Sequence, residues 1–387
     1  MKVLVLVDSL ALGGAESLLA TLAHAAPAAG FRLQVAALGE RSDSRDVLHS
    51  ALVRSGATAE FLDVPRLASA RAVPAVARTI RSSQCDVVHA HLEYSAILGT
   101  VAARLTGRPA VSTFHHVPGP LPRREAVKER LAVEVASRSA RLIFVSDASR
   151  AAFADRYGER RTWATVRNGV DLARFDPTPA PLPTDLGEAA PATQGNRETS
   201  AGGPVVAVIA ALRPGKGQER ALSVWPEVRR AVPGARLLLV GAGPQEQRLR
   251  ALAGTAGLGE PGVVFAGLRE DVPHLLRGVD LVLLPSDSEA LPTALLEAAA
   301  AGRAAVATRV GGVAEVVVDG VTGILVPLGD ARALGAALTE LLLDPVRRQR
   351  MGAAARAHAE SNFDATGWAR RLAEIYQQAR RPRPSRR

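Results

Sequence analysis

Short continuous apolar runs alternate with helix-period segments along most of this chain, and no other feature restricts its fold as strongly. Residues 3–7 are a Val/Leu run of strand length. A glycine turn follows, Leu12-Gly13-Gly14-Ala15-Glu16, and 17–26 then places Leu18, Leu19 and Leu22 at helical spacing. The same pattern predicts strands over 33–38, 87–91, 110–113 and 142–145, and helices over 46–55, 73–82, 96–105 and 125–139. It breaks at 176–204, a stretch rich in Pro, Ala, Thr and Gly. Strands resume over 205–210, 237–240, 263–265, 281–284 and 304–308, with helices over 218–231, 246–253, 272–277, 294–301, 313–318, 331–342 and 366–379. Strands that are apolar along their whole length are buried on both faces, which implies parallel sheets covered by helices.

The expected fold class is therefore α/β, with two doubly wound parallel-sheet domains and an interdomain cleft. The first domain spans 1–175, a linker or insertion 176–204, the second domain 205–361, and a basic tail 380–387. A length of 387 residues suits two domains of moderate size. Ligands of such sheets bind beyond the carboxyl ends of the strands, so the informative residues are those just after strands.

Composition removes several function classes. No apolar run approaches the roughly 20 residues of a membrane span. The N-terminal apolar stretch is short and meets Asp8 at once, unlike a secretory signal, so a cytoplasmic location is expected. Cys85 is the sole cysteine, which rules out an internal disulfide framework or a multi-cysteine metal site. The net charge of +10 lies partly in the tail, and aromatics are only 4%, too few for stacking single-stranded nucleic acid. No nucleic-acid partner is expected.

Two strand-end segments carry candidate chemistry. In the first, Leu284-Pro285-Ser286-Asp287-Ser288-Glu289-Ala290-Leu291-Pro292, a polar loop leads into a helix that bears Glu297. A helix start faces an anion well, and carboxylates accept hydrogen bonds from sugar hydroxyls. Spacing alone leaves open the plainer reading, a helix with solvated glutamates. The second, Ala211-Leu212-Arg213-Pro214-Gly215-Lys216-Gly217, offers a guanidinium fork and a point charge to a diphosphate. It is not a Walker loop, because Gly217 stands where Ser or Thr belongs. Glu246 occupies the third glycine position after Gly241-Ala242-Gly243, which argues against a nicotinamide enzyme. His89, His91, His115 and His116 end two strands and are expected to point into the cleft. Successive strand residues face opposite ways and no carboxylate joins them at a ligand-like spacing, so no metal is expected.

Taken in order, these segments resemble the retaining family 4 glycosyltransferases, whose fold (GT-B) has two facing Rossmann-like domains. The resemblance covers nearly the whole chain. It rests on Gly-Gly-Ala-Glu at 13–16, Val-His-Ala-His at 88–91, Thr-Phe-His at 113–115, Asn168-Gly169-Val170-Asp171, the Arg/Lys loop, Phe265-Ala266-Gly267, and Val310-Gly311-Gly312-Val313-Ala314-Glu315. Glu289 and Glu297, with seven residues between them, match the family's E-x(7)-E pattern.

The resemblance implies a hexosyl transfer from a nucleotide diphosphate sugar with retention of configuration and without a metal or other cofactor. It implies that Glu297 binds the donor ribose and that Glu289 lies by the donor sugar. Arg213, Lys216 and the amides of Ala290 and Leu291 would hold the diphosphate. Gly14 would approach the ligand, and His115 would meet the sugar near the reacting carbon. The last helix, about 362–380, would cross back onto the first domain. Departures are Ala290 for the usual glycine, Ala304 for a frequent proline, and Ala211 where the phosphate arginine more often stands.

A nucleotide-sugar epimerase, a phosphorylase and a non-catalytic binding protein share the architecture and remain alternatives. UDP and GDP donors are not distinguished, and a glycan, lipid-linked or small-molecule acceptor is open. Residues 118–130 combine Arg123, Arg124, Lys128 and Arg130 with Leu121, Ala126 and Val127. The segment admits peripheral contact with an anionic membrane; the plainer reading is a solvated basic helix face.

Overall fold

A computed structural model of the chain describes residues 1–10, 14–39, 48–64, 69–186 and 203–381, with backbone only at 14–17. Most of the first glycine turn, the start of the helix expected at 46–55, most of the linker and the tail beyond 381 lie outside the described residues. The chain divides into two compact units, Met1–Gly169 with Ala365–Arg387, and Val170–Asp364.

In the first unit the strands are β1 (Lys2–Val7), β2 (Arg32–Ala37), β3 (Thr58–Phe61), β4 (Val87–His91), β5 (Ala110–Phe114), β6 (Arg141–Phe144) and β7 (Trp163–Thr165). They form one sheet in the order β3-β2-β1-β4-β5-β6-β7, and every pairing is parallel. The helices are α1 (Gly14–Ala25), α2 (His49–Arg54), α3 (Ala72–Ser83), α4 (Glu93–Leu105), α5 (Arg123–Ala136) and α6 (Asp147–Tyr157). Val3, Val5 and Val7 of β1 face one core while Leu4 and Leu6 face another, as the two-residue period of a strand requires.

The second unit repeats the plan with β8 (Val205–Ile209), β9 (Arg236–Val240), β10 (Val263–Gly267), β11 (Leu281–Leu284), β12 (Ala304–Thr308) and β13 (Gly323–Val326). Their order is β10-β9-β8-β11-β12-β13, again parallel throughout. Its helices are α7 (Gln218–Ala231), α8 (Glu246–Thr255), α9 (Val272–Gly278), α10 (Thr293–Ala300), α11 (Val313–Val316), α12 (Ala331–Leu343) and α13 (Pro345–Asn362). In each sheet the strand order reverses direction beside the first strand, between β1 and β4 and between β8 and β11. That reversal is where doubly wound sheets open a crevice for ligands.

Two boundaries differ from the expected ones. Residues 170–175 belong to the second unit, because the Val170 amide donates to the Phe363 carbonyl at 2.7 Å and Arg356 Nη1 to the Phe175 carbonyl at 2.8 Å. The stretch 176–186, expected as linker, is a strap on that same unit. Arg303 and Arg277 donate to the carbonyls of Pro177 and Thr178, and Leu182 and Leu186 are buried. Arginine donors satisfy this irregular backbone, so it needs no periodic pattern.

The last helix, α14 (Ala365–Arg380), joins the core of the first unit through Trp368, Leu372 and Tyr376. The Tyr376 ring stands edge-on to Phe31, with centroids 5.3 Å apart.

Candidate active site

In the second unit, β8 and β11 lie side by side, so the loops that leave them converge. Gly217 has φ 73°, and a Cβ there would lie 1.9 Å from the Pro285 carbonyl oxygen. Only glycine allows this approach. Arg220 fastens the same junction: its Nε and Nη2 donate to the Pro285 carbonyl at 3.1 and 3.0 Å, and it pairs with Asp287. The Asp287 amide donates to the Gly215 carbonyl at 2.8 Å. Gly241 and Gly243 press on the first loop from the other side. Added Cβ atoms would meet the carbonyl oxygens of Ala210 and Leu212 at 2.2 and 2.4 Å. These glycines therefore serve loop-on-loop packing.

The interlocked loops carry Lys216 Nζ to 2.7 Å from Glu289 Oε1, with the side chains 18% and 10% exposed. The Glu289 carbonyl accepts the Gly312 amide at 3.0 Å, which ties the 310–313 turn to the same place. Just beyond, α10 begins at Thr293 after Pro292. The amides of Ala290 and Leu291 find no acceptor among the described residues, so donors and a cation collect at this helix start.

Glu297 is the fifth residue of α10 and half-buried. Burial pushes its carboxyl up to about 7, against the opposing charge of Arg174. That carboxylate has no hydrogen-bond partner among the described residues. Arg213 is exposed, and its guanidinium is not brought to Lys216 or Glu289. Its carbonyl accepts the Lys216 amide at 3.3 Å, which shapes the loop.

In the first unit, Gly14 opens α1, and the turn before it lies outside the described residues. Two of the histidines expected to project from the strand ends are instead buried within the first unit. His89 and His91 are 0% and 2% exposed. His89 is clasped between the Tyr376 hydroxyl at Nδ1 and Thr113 Oγ1 at Nε2, both at 2.7 Å. Burial, then the neighbouring His115, pushes His89 down to about 3. His91 Nδ1 meets His115 Nε2 at 2.8 Å, and burial holds both rings well below the usual imidazole range. At neutral pH all three rings are uncharged.

His116 corrects the sequence reading that no carboxylate joins the histidines. Its Nε2 lies 3.2 Å from Glu129 and 3.5 Å from Glu93, residues brought in from α5 and α4. Burial alone would raise the Glu129 carboxyl, but bonds from His116, Tyr157 and Arg156 outweigh it and hold it low. Lys128 sits 3.1 Å from Glu93. With Lys128 and Arg156 already compensating the carboxylates, this cluster is an ion-pair knot that fastens α4, α5 and α6.

The model described as "Glycosyltransferase Family 4" matches residues 12–174, and "Glycosyl transferases group 1" matches 193–358. A GDP-mannose-dependent alpha-(1-6)-phosphatidylinositol monomannoside mannosyltransferase of Mycolicibacterium smegmatis is 33% identical over 291 residues, covering 72% of this chain and 73% of the relative. The chain belongs to glycosyltransferase family 4. A glycogen synthase of Mycobacterium tuberculosis is 32% identical over 321 residues, covering 78% of this chain and 71% of its own. Among solved structures, Anabaena Alr3699/HepE in complex with UDP-glucose shares 25% identity, covers 97% of this chain and 99% of that one, and gives a TM-score of 0.80. The two parallel sheets are thus those of a GT-B glycosyltransferase.

In this glycosyltransferase two residues that shape the strand ends, Arg220 and Asp8, carry no strong signal in the sequence. Arg220 lies one turn into α7 and reads as an ordinary exposed arginine. Asp8 directly follows β1 and accepts from the Ser95 amide and hydroxyl at 2.9 and 2.6 Å, which anchors the start of α4. Its position directly after a strand was the available signal. No helix among the described residues is long and apolar enough to cross a membrane.

Proposed function

We propose that this glycosyltransferase moves a hexosyl group from a nucleotide diphosphate sugar to an acceptor hydroxyl with retention of configuration. The observation that carries the reading is the Lys216–Glu289 contact at the head of α10, beside two amides with no acceptor among the described residues. Lys216 and the amides of Ala290 and Leu291 hold the diphosphate, with Arg213 at the rim. Glu297 accepts from the ribose hydroxyls, and Glu289 takes hydroxyls of the donor sugar. Gly14 lets the first unit's turn come close, and His115 meets the sugar near the reacting carbon.

As the anomeric bond breaks, negative charge grows on the leaving diphosphate. Fixed protein donors stabilise that charge without reorganising, the role a divalent metal fills elsewhere. The leaving oxygen takes up the proton of the incoming acceptor.

The mannosyltransferase relative is GDP-mannose-dependent, and the HepE crystal holds UDP-glucose. These two donors are the first to test, by mass spectrometry with and without acceptor, and with EDTA present. The reading expects a product one hexose heavier, only with acceptor, undiminished by EDTA, and an anomeric coupling that matches the donor's. Conversion of donor alone would indicate an epimerase, and binding without turnover a non-catalytic protein; either result overturns it.

A surface feature favours a lipid-linked acceptor. Val127 and Leu131 of α5 are 68% and 48% exposed, one helical turn apart, with Leu121 at 40% just before. Arg123, Arg124 and Arg130 flank them, also exposed. Lys128, expected on this face, instead turns inward to Glu93 and Glu125. An apolar strip rimmed by arginines suits an anionic membrane surface. Co-sedimentation with phosphatidylglycerol vesicles but not phosphatidylcholine vesicles, abolished by Val127→Glu with Leu131→Glu, is the expected result. A merely solvated helix face would sediment with neither.

A further inference from the structure

We infer that His91 is a positioning residue that sets the tautomer of His115, so that His115 presents its Nδ1–H as a neutral hydrogen-bond donor. The inference deepens the proposed role of His115 and rests on it for its catalytic meaning, though not for its chemistry.

His91 Nδ1 and His115 Nε2 lie 2.8 Å apart, so one donates and the other accepts. The rings are nearly parallel, 20° apart, with centroids at 5.1 Å. Both are uncharged, so each carries a single N–H. The choice is settled at the far side of His91. Its Nε2 is buried and meets no polar partner among the described residues. The packing gap lined by His89, His91, Thr113, Asn168 and Trp368 has no room for a water molecule. A buried N–H without an acceptor is costlier than a lone pair without a donor. His91 therefore keeps its proton on Nδ1 and donates it to His115 Nε2. His115, having its Nε2 occupied as an acceptor, carries its own proton on Nδ1.

The position of His91 is itself fixed. It is the last residue of β4 and pairs in register with Thr113 of β5. Its ring leans on His89, centroids 4.2 Å apart, and His89 is held by Tyr376 and Thr113. A free neutral histidine prefers its proton on Nε2, so this pair holds both rings in the less common form. The consequence is specific: His115 donates to an oxygen of the sugar, and it is neither a cation nor a base towards it.

Histidine ring nitrogen NMR on the full-length protein tests the tautomers directly, with His91→Asn and His115→Asn spectra for assignment. Both rings are expected with protonated Nδ1 and bare Nε2; a protonated Nε2 on His115 overturns the inference whatever the activity. Kinetics test the role. His91→Leu is expected to lower kcat at least tenfold with donor KM changed less than threefold. His91→Asn, which keeps an N–H near the Nδ1 position, is expected to stay within threefold of wild type. Equal loss in both variants with folding intact overturns the positioning role. Wild-type rates in His115→Ala would instead remove the catalytic reading of His115 and leave the tautomer result standing.

Discussion

Lys216 and Glu289, 73 residues apart in sequence, meet at 2.7 Å because β8 and β11 are neighbours at the switch point of the second sheet. Across this contact each neutralises the other. When a diphosphate arrives, Lys216 has three donors to share between it and Glu289. Removing the lysine strips a charge-assisted bond and leaves a largely enclosed carboxylate alone. Lys216→Met is therefore expected to lower kcat/KM by about 100-fold, as for a lost oxyanion donor. Lys216→Met with Glu289→Gln should lose less than the sum of the two single effects, since the partners are in contact. Steady-state kinetics on the four proteins checks both points.

The approach of Gly217 to the Pro285 carbonyl makes that glycine a structural requirement. Gly217→Ala adds a methyl where only 1.9 Å is free, in a left-handed conformation. The junction must open, at a cost of about 1–3 kcal/mol. Thermal unfolding should fall by several degrees, and donor affinity should fall with it because Lys216 rides on the displaced loop. A variant that melts like wild type would show that the junction yields freely.

Donor binding should depend on pH through Glu297. Burial holds its carboxyl up to about 7, so below that pH Glu297 carries a proton that ribose binding must expel. Nucleotide-sugar affinity is expected to weaken as pH falls from 8 to 6, by up to about tenfold per unit below 7. Stability runs the other way. Between its ordinary value of 4.5 and about 7 the folded state binds more protons than the unfolded one, so the contribution of Glu297 declines as pH rises. Calorimetry with an intact nucleotide sugar, which has no titration of its own here, should give a flat profile for Glu297→Gln.

Tyr376 joins α14 to the strand ends of the first unit through His89. Tyr376→Phe keeps the ring against Phe31 and removes only the hydroxyl, which leaves His89 Nδ1 buried and unpaired. The expected loss is about 1–3 kcal/mol. Denaturant unfolding measures it, and an unchanged midpoint would mean that His89 finds another partner.

Much of the α/β plan is visible in the chain itself. The apolar runs at β1, β4, β8 and β11 are continuous, so both faces had to be covered. Weaker elements are not visible. β3 is four residues with a half-exposed pattern, and β7 is three. α13 reads as charges and alanines with little apolar periodicity. It is held by contacts such as Arg348 Nη1 to the carbonyls of Leu341 and Leu342 at 2.6 and 3.0 Å. The 176–186 strap is hidden for the same reason, since its partners are arginines about a hundred residues away in sequence, Arg277 and Arg303.

The candidate site divides similarly. Glu289, Glu297 and Lys216 stand out in sequence because each follows a strand and suits an anion or a sugar. Residue order alone does not show that Lys216 lands on Glu289, while Arg213 stays on the rim and Arg220 locks the junction. Nor does it show that His89 turns inward to Tyr376, or that His116 finds Glu129. Local pattern determines which residues end strands and which begin helices, because those choices depend on neighbours a few positions away. Which strand ends become neighbours is decided by the order of strands in the sheet, and burial then decides which side chains keep their charge. Those are properties of the packed chain, where groups many residues apart share one low-dielectric space.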